Sequence, residues 1–168
     1  MHPYTVIVGL LASIPSAIAA PGTAALVHRA ADNGYRDFQK SCSDVTLVGT
    51  HNATLRASCE IEDPNNAAPA HLITELDLNQ CLGYDESYQS MIFQPLGKFT
   101  NECNDNSWLE DKAQQPEKWG PSWYLTSTCW PQGDRSRQGA TSQMDLNYGV
   151  SNQKGHLACN GGLGVIVP

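Results

Sequence analysis

Three landmarks occur twice along this chain, in the same order, and two of them end on cysteine. Phe38-Gln39-Lys40-Ser41-Cys42 returns as Phe99-Thr100-Asn101-Glu102-Cys103, 61 residues on. Leu55-Arg56-Ala57-Ser58-Cys59 returns as Leu125-Thr126-Ser127-Thr128-Cys129, 70 residues on. Leu76-Asp77-Leu78-Asn79 returns as Met144-Asp145-Leu146-Asn147, 68 residues on. A duplicated unit constrains the fold more than local propensity does, because such units bury their apolar faces against one another. The changing spacing locates an insertion of about nine residues in the second copy, near Glu110–Trp119. That stretch is polar, contains Pro116 and reads as a loop.

The repeat also sorts the six cysteines. Cys42 is expected to pair with Cys59, and Cys103 with Cys129, each joining the start of a unit to its second strand. Each such closure is worth about 3 kcal/mol in the chain-entropy picture. Cys81 and Cys159 have no counterpart in the other unit and pair with each other by elimination. That third bond ties the end of the second unit back to the first and suggests that the halves exchange elements.

Strand patterns recur in both units. Val45–Val48, Leu55–Cys59, Ile73–Leu78, Tyr124–Cys129 and Gln143–Leu146 alternate apolar with polar, as half-buried strands do. No long helical stripe occurs, so helix is confined to short turns after Phe38, after Asp77-Leu78-Asn79 and at the equivalent points of the second unit. Fourteen glycines and ten prolines agree with a turn-rich chain. The expected class is all-β: two pseudo-symmetric repeats with short helical turns, held by disulfides.

The first residues read differently. An apolar run, Val6–Ala12, precedes Ala17-Ile18-Ala19, a small-residue cleavage site. The run is shorter than the roughly 20 apolar residues a bilayer span needs, and Pro15 interrupts it. Residues 1–19 are therefore expected to be a secretory signal and 20–36 a flexible leader. The domain then occupies 37–160, with repeats at about 38–98 and 99–159 and a tail at 161–168. Export to the extracellular space suits an even set of oxidised cysteines. Asn52-Ala53-Thr54 is an acceptor sequon for N-glycosylation, which fits the same route.

Charge narrows the partners. The net charge is −7 and only 16% of residues are charged. Nucleic acid and anionic membrane both call for clustered Lys/Arg, which this chain lacks. No Cys-x-x-Cys or His-x-x-x-His pair suggests a metal, and no cofactor is implied. Nucleophilic hydrolysis has no Gly-x-Ser-x-Gly element and no reduced cysteine to use. Glu60 and Glu62, two apart on a strand-like stretch, are the one carboxylate pair to weigh for glycoside cleavage. The surface polarity is instead that of Asn, Gln, Ser and Thr, suited to neutral hydroxyls.

Taken together, the Phe-x-x-x-Cys and Leu-x-x-x-Cys elements, the Leu/Met-Asp-Leu-Asn box and the ending Asn152-Gln153-Lys154-Gly155-His156-Leu157 resemble the cyanovirin-N homology (CVNH) family of lectins. The resemblance runs from about Phe38 to Cys159. It implies an all-β, strand-exchanged fold with a sugar site at each far end, mannose-type oligosaccharides as partners, and no catalysis. By that resemblance one site comprises Asp37, Lys40 and Ser41 from the first turn, Glu60 and Glu62, and Asn152 and Gln153 from the second hairpin. The other comprises Gly83 and Tyr84, then Lys98, Asn101 and Glu102, then Trp130, Gln132 and Asp134. The chain departs from the family where Glu86-Ser87 replaces the usual Asp-Gly turn, where Lys154-Gly155 replaces the other, in the insertion, and in the third disulfide. The altered first hairpin is expected to be strained or remodelled, which favours the Glu60–Asn152 end as the working site. The alternative is a secreted, disulfide-stabilised interaction protein on the same fold with sugar binding lost. Strand exchange allows either a monomer or a domain-swapped dimer.

Overall fold

The computed structural model describes residues 36–61, 70–111 and 122–168, apart from the side chains of 104–106. The signal, nearly all of the leader, Glu62 and most of the insertion lie outside the described residues. Within them the fold is all-β, with short 3-10 turns between strands and no closed barrel.

Each unit opens on a 3-10 turn, Phe38–Lys40 or Phe99–Asn101, whose phenylalanine is fully buried. A three-stranded antiparallel sheet follows. In the first unit it is β1 (Cys42–Val48), β2 (Thr54–Ile61) and β3 (Ala70–Asp77). A turn at Leu78–Gln80 then leads to the hairpin of β4 (Leu82–Asp85) and β5 (Ser90–Phe93). The second unit repeats the plan with β6 (Cys103–Asp111), β7 (Trp123–Cys129) and β8 (Ala140–Asp145), a turn at Leu146–Tyr148, and the hairpin of β9 (Val150–Gln153) and β10 (His156–Cys159). Alternation produces the buried faces. Leu55, Ala57 and Cys59 point inward from β2, as do Leu125, Ser127 and Cys129 from β7. The boxes repeat to the atom pair. Asp77 accepts from the Asn79 backbone N–H and Asp145 from that of Asn147, each at 2.9 Å.

The hairpins cross over. Met91 of β5 donates its N–H to Ser142 Oγ of the second unit at 2.7 Å, and the Phe93 ring packs on Gly149. In the other direction Leu157 of β10 donates to Thr74 Oγ1 in β3 at 3.2 Å, and Gly155 lies against Ile61 and Leu72. The openings of the units cross as well. The Asp37 N–H donates to Asn147 O and the Lys98 N–H to Asn79 O, at 3.0 and 2.9 Å. Both residues adopt the left-handed conformation needed to enter their turns. One core results, shared by Phe38, Leu55, Leu76 and Leu78 with Phe99, Leu125, Met144 and Leu146.

The disulfides are Cys42–Cys59, Cys103–Cys129 and Cys81–Cys159, and no free cysteine is found among the described residues. The first two join directly opposed positions of β1–β2 and β6–β7. The third links the turn before β4 to the end of β10, one unit to the other.

Some boundaries differ from expectation. β1 starts three residues before the alternating stretch, at Cys42, because Asp44 at φ 52° forms an irregularity that interrupts the alternation. β6, which shows no clean alternation, has two such irregularities. It also takes in Glu110 and Asp111, which the sequence places in the inserted loop. Two further 3-10 turns occur, at Thr50–Asn52 and Pro131–Gly133, each containing a non-glycine residue at positive φ. Residues 161–168 contribute two short strands, β11 (Gly162–Leu163) on β10 and β12 (Val165–Ile166) on the outer edge of β3.

Candidate functional site at the two ends of the molecule

At the first end a single amide organises the surface. Asn152 Nδ2 donates to Ser41 Oγ at 3.0 Å and to the Glu60 carbonyl at 2.8 Å, and its Oδ1 accepts from the Gly155 N–H at 2.8 Å. Three segments distant in sequence are thereby fixed: the first turn, the end of β2 and the second hairpin. The hairpin reaches them because Lys154 (φ 54°) and Gly155 (φ 88°) make a two-residue turn with positive φ at both positions, which matches the twist of the strands. Asp37 and Lys40 form an exposed ion pair at 2.7 Å on the same first turn. Of the seven residues expected here, Ser41, Glu60 and Asn152 come together, with Asp37 and Lys40 on the turn that carries Ser41. Gln153 does not join them. It follows Asn152 on a strand, where successive side chains point to opposite faces, and it lines a separate concavity of about 340 Å³ with Gly161–Leu163. Glu62 lies outside the described residues.

At the second end several of the candidate groups contact the chain's own atoms. The hairpin at Glu86-Ser87 is remodelled into a four-residue loop, 86–89, between the paired Asp85 and Ser90. Asp85 Oδ1 accepts from the Ser87 and Tyr88 N–H groups, and only Gln89, at φ 51°, is left-handed in the loop. The longer loop lets Glu86 Oε1 accept from the Gln132 N–H at 3.0 Å. Burial pushes the Glu102 carboxyl up; a backbone hydrogen bond opposes this, and the Glu86 charge adds to it. The Tyr84 phenol is raised by burial and then by Glu86, and its hydroxyl is buried without a partner. Asn101 presents its carbonyl to Gly133, where a Cβ would come within 2.6 Å. Lys98 is exposed at the start of the Phe99–Asn101 turn.

Trp130 is half-buried and partly engaged by its own chain. The Arg135 guanidinium lies 5.2 Å from its ring centroid, and a Cβ on Gly139 would come within 2.7 Å of the indole edge. Asp134 turns away into a local cap. The Ser136 hydroxyl and N–H hold its carboxylate below its usual range, with a smaller contribution from Arg137. Sequence reading missed the Glu86–Gln132 contact, and a hairpin two residues longer than its counterpart was the only signal for it.

Asn52 is exposed, within the Thr50–Asn52 turn, and its Nδ2 donates to the Ser107 carbonyl at 3.0 Å. Among the described residues no group of three or more His, Cys, Asp or Glu side chains could hold a metal ion. No helix among them is long and apolar enough to cross a membrane.

The CVNH domain family model matches residues 38–158, well over half of the chain. Among solved structures, the NMR structure of a CVNH protein from Gibberella zeae matches with a TM-score of 0.55 and 18% identity. The match covers 73% of this chain and 95% of that one, and it concerns the fold. No curated protein sequence matches.

Proposed function

Because the chain belongs to the CVNH domain family, a family of lectin-like domains, we propose that it is a secreted protein that binds mannose-type oligosaccharides without catalysis. The observation that carries this reading is the Asn152 amide, which holds a hydroxyl, a carbonyl and a turn in one fixed arrangement. The segments it joins also carry the Glu60 and Asp37 carboxylates, which accept from sugar hydroxyls, and the Lys40 ammonium, which donates. Such contacts largely replace water, at about 1 kcal/mol for a neutral pair and about 1.5–3 kcal/mol for one to a charged group, so a single shallow end binds in the micromolar to millimolar range. Avidity then requires a second site or a second copy. An N-glycan on exposed Asn52 belongs to the same proposal; a substituted amide keeps one N–H for Ser107 O.

Titration of labelled protein with an oligomannoside, followed by NMR, tests the reading. The Glu60 carboxylate makes no hydrogen bond among the described residues, so Glu60→Ala leaves the frame intact. It removes one charge-assisted contact of about 1.5–3 kcal/mol, a loss of about tenfold or more in affinity. Asn101→Ala at the second end leaves binding unchanged. The reverse pattern moves the site to the other end, and no response to any oligomannoside removes the lectin reading. Binding is expected to be the same in excess chelator.

A further inference from the structure

The turn Thr50–Asn52 joins β1 to β2 at the end of the sheet opposite Ser41 and Glu60. Thr54 and Glu60 stand six residues apart on β2, a span of about 20 Å at about 3.3 Å per residue. His51 and Asn52 in this turn are both left-handed, at φ 60° and 53°, and both are exposed. Asn52 is nevertheless anchored. Its Nδ2 donates to the Ser107 carbonyl of β6 at 3.0 Å, which fixes the side chain against the second unit. That bond uses one amide hydrogen, and the other is left for substitution.

One sheet thus carries a sequon amide at one end and the candidate sugar receptor at the other. The block that a secretory host transfers to a sequon asparagine is built largely of mannose, the sugar class proposed for the receptor. To reach the receptor of its own copy, a glycan on Asn52 would have to double back along the length of β2 and lose its conformational freedom there. A second copy offers the same receptor without that constraint. The contact between copies is heterologous, because the glycan-bearing end of one meets the opposite end of the next. Assembly of that kind continues as a chain or closes as a small ring.

We propose that the protein recognises its own glycan in trans: oligomannose on Asn52 of one copy occupies the Ser41–Glu60–Asn152 end of another. The proposal rests on the reading of the first end as a mannose site and of Asn52 as glycosylated. The test uses the full chain from a secretory host that keeps N-glycans as oligomannose. It is compared with the same preparation trimmed by an endoglycosidase to one N-acetylglucosamine, and occupancy of Asn52 is read by peptide mass mapping. By sedimentation, the weight-average mass of the oligomannose form rises by about half or more between about 0.01 and 1 mM, the range set by the expected affinity per site. Trimming or excess free mannotriose returns it to the monomer value, and Glu60→Ala moves the rise to about tenfold higher concentration. The trimmed form still binds mannotriose by NMR. A monomeric oligomannose form beside a trimmed form that binds mannotriose overturns the proposal and leaves the first-end reading standing. So does a monomer whose first-end resonances already lie at their sugar-bound positions, which is recognition within one copy. Association that survives both trimming and mannotriose is a protein contact and overturns it too, as does an empty Asn52. If the trimmed form binds no mannotriose, the first-end reading and the proposal fall together.

Discussion

Asn152 is both a structural and a candidate binding residue, and the two roles separate experimentally. Asn152→Ala leaves the Glu60 carbonyl and the Gly155 N–H without their partner, at a cost of about 1–3 kcal/mol. It lowers the urea midpoint as well as sugar affinity, whereas Glu60→Ala lowers affinity alone. Glu102 shows a different kind of residue-level effect. Its carboxyl is pushed above the unfolded value, first by burial, and the Glu86 charge adds to this. A raised folded pKa means that the folded state binds the proton more tightly. Its contribution to stability is present below the unfolded pKa, near about 4.3, and is lost as pH rises through the folded value. Glu102→Gln therefore raises the urea midpoint at about pH 7 and leaves it unchanged at about pH 3.5.

The two hairpins show how one element sets the chemistry of an end. Gly155 sits at φ 88° with a prospective Cβ 3.0 Å from both Ile61 and Leu72. Gly155→Ala costs about 1–2 kcal/mol by thermal or urea unfolding and disturbs the Asn152 contacts. Ser87→Gly in the other hairpin is neutral to mildly destabilising, by about 0.5 kcal/mol, because the remodelled loop no longer needs a left-handed residue there. Elements of this kind were legible to different degrees in the sequence. The duplicated Asp-Leu-Asn box revealed its turns, because a short polar cap and a buried leucine leave a fixed pattern. Leu55 to Cys59 and Tyr124 to Cys129 revealed β2 and β7 by strict alternation. The starts of β1 and β6 were hidden because irregular pairing breaks that period. Ser41, Glu60 and Asn152 were recognised through resemblance alone, since each is an ordinary loop or strand residue until the exchange brings them together.

At the scale of the whole molecule the three disulfides have unequal effects. Cys42–Cys59 and Cys103–Cys129 span 17 and 26 residues within single sheets, while Cys81–Cys159 spans 78 and joins the units. In the chain-entropy picture the long closure is worth about 4.5 kcal/mol against about 3–3.5 for the shorter ones. Replacing Cys81 and Cys159 together by serine is expected to cost about 2–5 kcal/mol and to leave both local disulfides intact on peptide mapping. The crossing of hairpins that this bond secures also determines how the two halves can change by mutation. The first hairpin, with Glu86 in its longer loop, belongs to the first unit, yet its effect falls on Gln132 at the second unit's end. The first unit's end instead depends on Lys154 and Gly155, encoded in the second. A duplicated gene ordinarily frees one copy to drift while the other keeps the old role. Here neither copy is free in that sense, because each change in one hairpin is inherited as a trait of the opposite unit's end.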